Sequence, residues 1–384
     1  MINNIIIDQM PFYWRLNNSH RQKNIVNDFL PFKLYFKPKY KLFYQMKNSK
    51  VRDNLNKVYR QKSNIGNMQH ANQWSVNYIR DLLDFLEEVL KAKRNIHKVL
   101  EIGCGSCDLL QILKNKGYEV MGVDPSPAAL AEGKRKNIKV IQDFFPSSKV
   151  VGKYDLIFHS DVVEHVDDPL KFLQHQWEML NEGGVVVVAT PDCTNNIRYG
   201  DISMLLHQHI SYFDNESLQL TLSSSGFKDI NIEKAKYGSS IFASAVKDNN
   251  LPIRKSVELN GSWMKFILFR NKHKKLTQEL EHLVKKIMDN NERSLGFYAP
   301  VRVLPYLGKY GLFKGFRFFD DTNYWHRKYF DGIRVPIENV DDLKRKPVTD
   351  LIIMTPAFGN IIQEKVNANI SDTNIYKLTD FYVD

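Results

Sequence analysis

Between Lys98 and Ala189 five short apolar runs recur with helical spacing between them, and this alternation constrains the fold more than any other feature of the chain. The runs are Lys98–Ile102, Glu119–Val123, Lys139–Ile141, Tyr154–Phe158 and Val185–Ala189. Ser126–Lys136 and Pro169–Leu180 read as helices between them, and Ser75–Ala92 reads as an amphipathic helix leading in. Strands that are apolar along their length and separated by helices belong to a parallel sheet covered on both faces. Further on, Asn215–Ser225 reads as a helix, and Ile230–Glu233 and Ser240–Val246 as two strands joined by a short turn. The expectation is an α/β, Rossmann-like domain over residues 73–248, mostly parallel with an antiparallel edge hairpin.

A chain of 384 residues is longer than one core usually supports, so flanking units are expected. Residues 249–384 open with Leu251-Pro252 and a Lys- and Glu-rich helical pattern over roughly 255–290. Strand-like runs follow at Ser294–Tyr298, Phe316–Phe319 and Leu351–Thr355, which predicts a second small α/β domain. Residues 1–72 form a basic N-terminal region with 13 Lys and Arg against 3 Asp and Glu, whereas the remainder is nearly balanced within a formal net charge of +11. Such a segment suits an anionic partner: a nucleotide diphosphate, a nucleic acid or an acidic surface. Three cysteines are too few for a disulfide framework and fit a reducing compartment. With no secretory signal and no run near the ~18 apolar residues of a membrane span, a soluble, cytoplasmic protein is expected.

The first apolar run feeds a glycine turn, Val99-Leu100-Glu101-Ile102-Gly103-Cys104-Gly105-Ser106-Cys107-Asp108. Strand, glycine turn and helix in succession aim backbone N–H groups at a ligand and let it approach closely. A dinucleotide fingerprint would need a third glycine where Asp108 stands. Glu101 would sit badly beside a pyrophosphate but well beside a cation, which favours S-adenosylmethionine, with its ammonium and sulfonium, over NAD. Asp124, closing the second strand, is placed for ribose hydroxyls. Asp143 is placed for the adenine amine, Phe144 for stacking on its ring, and Asp161 follows the fourth strand. Cys104 and Cys107 also spell C-x-x-C, but no second cysteine pair exists for zinc and the cofactor should cover the loop, so a redox role is disfavoured.

At these motifs, together with Tyr154-Asp155-Leu156-Ile157-Phe158-His159-Ser160-Asp161 and Leu180–Pro191, the chain resembles the class I S-adenosylmethionine-dependent methyltransferases. Where the resemblance has glycine, this chain has Cys107. Leu205–Phe213, Val58–His70 and segments of the last 95 or so residues (Leu295–Pro300, Asp320–Asn323, Asp331–Ile337, Thr349–Ile362) further resemble the nucleotide-sugar C-methyltransferases. The resemblance implies His209 as general base, His165 as a second active-site histidine, Gln208 where that family usually has glutamate, and Tyr59 in a segment covering the cofactor. It also implies a small-molecule acceptor, a nucleotide-linked sugar or polysaccharide precursor.

Three departures accompany it. Gln208 cannot stabilise an imidazolium as a carboxylate does, and Leu206 replaces a tyrosine. Phe36–Leu42 carries Lys37 and Tyr40 where the family's zinc knuckle has cysteines, so no metal site is expected. An O- or N-methyltransferase on a related carbohydrate or on RNA, and an idle cofactor-binding homologue, stay open beside C-methylation. A nucleic-acid partner is disfavoured because no RNA-binding module is recognisable.

Overall fold

The computed structural model describes residues 4–13, 15–21, 29–46, 48–60, 73–93, 95–249, 263–310, 315–368, 370 and 372–383. In chain order the strands are β1 (Asn4–Pro11), β2 (Phe29–Lys37), β3 (Leu42–Gln45), β4 (Lys98–Ile102), β5 (Glu119–Val123), β6 (Lys139–Ile141), β7 (Tyr154–Ser160) and β8 (Leu180–Pro191). They continue with β9 (Ser211–Tyr212), β10 (Phe227–Lys234), β11 (Ser240–Lys247), β12 (Leu295–Tyr298), β13 (Phe316–Phe319), β14 (Ile337–Glu338), β15 (Asp350–Ile353) and β16 (Asn374–Lys377). They belong to two compact units: Phe36–Thr194 with His209–Ser262, and Met1–Tyr35 with Asn195–Gln208 and Trp263–Asp384.

The first of these units holds a seven-stranded sheet in the order β10-β11-β8-β7-β4-β5-β6. Strands β4 to β8 are parallel, while β11 runs antiparallel to both β8 and β10. This is the expected mostly parallel, Rossmann-like sheet with an antiparallel edge hairpin. Alternation along each strand sends successive residues to opposite faces. Val99, Leu156, Phe158, Val185 and Val187 pack under the helix Gln73–Ala92 through Leu82, Phe85 and Leu86. Leu100, Ile157, Val186 and Val188 face the other way, against Phe172 and Leu173 of the helix Pro169–Met179 and Leu218 and Leu222 of the helix Asn215–Ser224. The strand order reverses between β4 and β7, so the loops following these two strands flank the crevice where open α/β sheets bind ligands.

The other unit contains an all-parallel five-stranded sheet, β14-β13-β12-β15-β16, and an antiparallel β1–β2 pair. Buried Asp201 accepts there from neutral donors, among them the hydroxyls of Tyr306 at 2.7 Å and Tyr382 at 2.9 Å.

Several details differ from the sequence expectation. The basic region 1–72 is not one body: it divides between the two units after Tyr35, because β1 and β2 pair with each other and β1 packs on the helix Pro300–Tyr310. Residues 195–208 likewise belong with the C-terminal unit rather than with 73–248. The helix after β7 gives way directly to β8 at Leu180, and Asn181–Gly184 bulges out of the β7–β8 pairing: Tyr154 faces Leu180, Leu156 faces Val185, and Gly183 between them is left-handed at φ +72°. The second sheet has five strands where three are legible in sequence.

Candidate active site

β4 delivers the glycine loop. Gly103 adopts a left-handed φ of +75°, and a β-carbon there would come 2.6 Å from Val162 Cγ2 on the loop after β7, so only glycine lets the two loops approach. Cys107 is also left-handed, at φ +58°, and is buried at the start of the helix Asp108–Asn115. The neighbouring backbone is fixed by Asp124, at the end of β5: Oδ2 accepts from Gly105 N–H at 3.1 Å and Oδ1 from Ser126 N–H at 2.7 Å. Asp124 therefore first shapes the loop, and each oxygen has a further lone pair for a ligand hydroxyl.

Glu101 is 3% exposed, and its Oε2 has no hydrogen-bond partner among the described residues. Burial, reinforced by Cys107 and Asp124, pushes its carboxyl well above the usual carboxylate range. A buried carboxylate oxygen left without a donor is costly unless a ligand supplies one, and a cation fits this place best.

Asp143 accepts from Phe144 N–H at 2.9 Å and Ser147 Oγ at 2.8 Å, and Lys149 lies 3.3 Å away. Ser147 and Lys149 hold its carboxyl below the usual range, so it stays an acceptor. Phe144 is 42% exposed. Asp161 has a left-handed φ of +54°, and its Oδ2 accepts from Ser160 Oγ at 3.1 Å and from Tyr78 OH at 3.5 Å. It keeps exposed surface, yet lost hydration and then the Glu164 charge raise its carboxyl. Tyr78 is a site residue that sequence reading missed. It sits among the apolar positions of the helix Gln73–Ala92, and its hydroxyl lies 3.2 Å from Ser160 Oγ. Of the segment Val58–His70 expected to cover the cofactor, residues 61–70 and the Tyr59 side chain lie outside the described residues.

The second half of the site follows β7. Val163–His165 form a 3-10 turn, and the chain carrying His209 is clamped to it by Ile210 N–H donating to the Glu164 carbonyl at 2.6 Å. The short β9 pairs antiparallel with β3 and extends the clamp. His165 and His209 thereby meet with ring centroids 4.9 Å apart and planes at 75°. Glu164, which sequence reading passed over, joins them: its Oε1 is 3.7 Å from His165 Nε2, and its Oε2 accepts from Thr190 Oγ1 at 3.1 Å. Glu164 is 2% exposed, and burial raises its carboxyl to about 7. The Tyr212 hydroxyl donates to the His209 carbonyl at 3.0 Å. Gln208, by contrast, belongs to the other unit, where its amide donates to the Tyr13 carbonyl at 2.9 Å. The carboxylate beside the histidines comes from Glu164, one position before His165, and not from the position before His209.

Residues 68–232 match the family model described as a methyltransferase domain. The chain is 29% identical over 147 residues to the ubiquinone biosynthesis O-methyltransferase of Bradyrhizobium diazoefficiens, covering 34% of this chain and 54% of that one. It is 28% identical over 136 residues to the mitochondrial ubiquinone biosynthesis O-methyltransferase of Schizosaccharomyces pombe, covering 33% and 50%. The chain thus spans about half the length of the curated relatives it matches. Among solved structures it is similar to the N-methyltransferase NodS of Bradyrhizobium japonicum in complex with S-adenosylhomocysteine, at 15% identity and a TM-score of 0.40, covering 52% of this chain and 99% of that one.

The central region is a class I methyltransferase domain, and S-adenosylmethionine is the cofactor of that class. When bound it supplies an electrophilic methyl on a sulfonium. The residues present fit it: Glu101 offers the unpaired buried acceptor that its ammonium needs, Gly103 and Gly105 the close backbone, and Asp124 the ribose acceptor. No helix among the described residues is long and apolar enough to cross a membrane.

Proposed function

We propose that this chain is an S-adenosylmethionine-dependent methyltransferase whose small acceptor must lose a proton as it attacks the methyl group, with His209 taking that proton. The observation that carries the reading is the convergence of His165, His209 and buried Glu164 at the carboxyl end of the sheet that bears the glycine loop. Imidazole has a basicity suited to this step near neutral pH. Glu164, held by Thr190 and beside His165, is placed to favour positive charge on the histidine pair as the proton arrives. Methyl transfer otherwise needs alignment of nucleophile, methyl carbon and sulfur, and the Gly103–Val162 contact supports this by packing the two loops together.

For the acceptor we propose a sugar-like molecule, a nucleotide-linked sugar or polysaccharide precursor, with the methyl going to carbon next to a keto group. The similarity of Leu205–Phe213 and of the C-terminal segments to the nucleotide-sugar C-methyltransferases supports this reading. A second reading, O-methylation of a hydroxyl, is favoured by the curated relatives, which are O-methyltransferases of ubiquinone biosynthesis. The same histidine base serves both, since a hydroxyl and a carbon acid each surrender one proton.

Methyl-labelled S-adenosylmethionine offered with nucleotide sugars bearing or lacking a 4-keto group, and with phenolic acceptors, separates them. A labelled carbon in keto sugars alone establishes the first reading, and a labelled oxygen the second. With whichever acceptor reacts, His209→Ala is expected to lower turnover at least ~100-fold, the scale of general-base catalysis, at unchanged cofactor affinity. A rate within a few-fold of wild type would remove His209 from the mechanism.

A further inference from the structure

The Glu164–His165–His209 cluster also has the makeup of a metal site. Each of the three side chains offers one ligand atom, and these atoms all lie within 4.8 Å of one another. A transition metal with bonds of about 2.0–2.2 Å brings its ligand atoms to roughly 3–4 Å of each other, so side-chain movements of about an ångström would close the set. The carboxylate is prepared for such a role. Its Oε2 is oriented by the Thr190 hydroxyl at 3.1 Å, whereas its Oε1 is buried with no hydrogen-bond partner among the described residues. A ligating carboxylate held on one oxygen by an outer partner, with the other oxygen bare, is how supporting residues orient metal ligands. The scaffold is rigid on both sides: Glu164 and His165 share the turn after β7, and the Ile210–Glu164 backbone bond of 2.6 Å fixes His209 against it.

We infer that Glu164, His165 and His209 bind one divalent transition-metal ion, and that the bound ion withdraws His209 from proton transfer. Two imidazole nitrogens and one carboxylate oxygen suit Zn²⁺, Co²⁺ or Ni²⁺, whereas Mg²⁺ and Ca²⁺ prefer all-oxygen sets. Three protein ligands leave at least one coordination position open to water or a ligand oxygen. The lone pair of His209 that would hold the ion is the one the proposed mechanism gives to the acceptor's proton. Ion and proton therefore exclude each other, and the metal-bound protein is the inactive form. This second half rests on the proposed base role of His209; the binding site itself does not.

The test uses the untagged full-length chain, stripped with a chelator and titrated with CoCl₂ while its visible ligand-field absorption is followed. One ion per chain is expected. The affinity should fall at least ~tenfold in His165→Ala, His209→Gln and Glu164→Gln, and should be unchanged in His175→Ala, which removes an exposed histidine elsewhere. S-adenosylmethionine binding, measured on every variant, identifies any that misfolds and reports on the methyltransferase reading independently. Failure of wild type to take up Co²⁺ saturably, or equal affinity in wild type and well-folded cluster variants, would overturn the site. ZnCl₂ should lower turnover at least tenfold, reversibly by chelator. Turnover that instead rises with metal would overturn the inhibitory half and with it the base role of His209, while the ligand set would stand on the titration.

Discussion

Cys107 occupies a left-handed backbone position inside the cofactor loop, a conformation that costs a residue with a β-carbon roughly 1–2 kcal/mol. A small thiol tolerates it because the side chain is fully buried and the turn is closed by Cys107 N–H donating to the Cys104 carbonyl at 2.7 Å. Cys107→Val adds a β-branched side chain to both problems and is expected to lose about 2–4 kcal/mol, read as a fall of several degrees in melting temperature. Cys107→Gly should fold and bind cofactor like wild type, and a similar loss in both would show that packing, not backbone conformation, governs the position. Glu164 gives a second prediction. Burial raises its carboxyl from the ordinary 4.5 to about 7, so the unfolded chain ionises it first, and it destabilises the fold increasingly as pH rises from about 4.5 to 7. Glu164→Gln should therefore stabilise the protein by up to ~3 kcal/mol at pH 8 and leave it nearly unchanged at pH 4. Equal effects at both pH values would contradict the raised pKa of the buried carboxyl.

At the scale of elements, β7 carries an imidazole with no polar company. His159 is fully buried, both ring nitrogens lack hydrogen-bond partners among the described residues, and its ring meets Phe172 edge-on at 5.2 Å. Burial lowers its pKa to about 3, so the folded protein holds it neutral while the unfolded chain takes up a proton below about 6.5. Stability from this residue is full above pH 6.5 and declines as pH falls toward 3. His159→Leu should raise the melting temperature at every pH, because it removes two unsatisfied nitrogens, and increasingly so as pH falls from about 6.5 toward 3. A pH-independent gain would show that His159 stays neutral in both states. The strands themselves were largely legible, being apolar along their length because both faces are covered: β4, β5 and β6 keep the bounds read from sequence, whereas Val185–Ala189 is the apolar centre of the longer β8. β2 was missed although Leu30, Phe32, Leu34 and Phe36 alternate at period two and are all buried; Pro31 and the surrounding lysines obscured the run. β14, two residues long, exists only through its pairing with β13 and leaves no periodic trace.

At the scale of the whole molecule, the chain order and the spatial order diverge. One unit gathers residues from three separate stretches, and the other from two, so a division by composition along the chain could find the central domain but not the partition of its flanks. The residues proposed to face the cofactor could be picked out in sequence because Glu101 lies near the end of β4, and Gly103, Gly105, Asp124, Asp143 and Asp161 follow strand ends in order, which share one edge of a parallel sheet. The other half was not. Glu164 and His209 are 45 positions apart in sequence, and only the Ile210–Glu164 bond, made in the folded chain, shows that the carboxylate beside the histidines is Glu164 while Gln208 serves the Tyr13 carbonyl.

The central claim, that the glycine loop is built for a cationic nucleoside cofactor, rests most directly on the unpaired Glu101 oxygen. Calorimetric titration of S-adenosylmethionine into wild type and Glu101→Gln tests it. The account predicts one cofactor per chain, an affinity at least ~tenfold weaker in the variant, from loss of a charge-assisted hydrogen bond, and a melting temperature that rises because a buried carboxylate is gone. No binding by the wild type, or equal affinity in the two proteins, would contradict it.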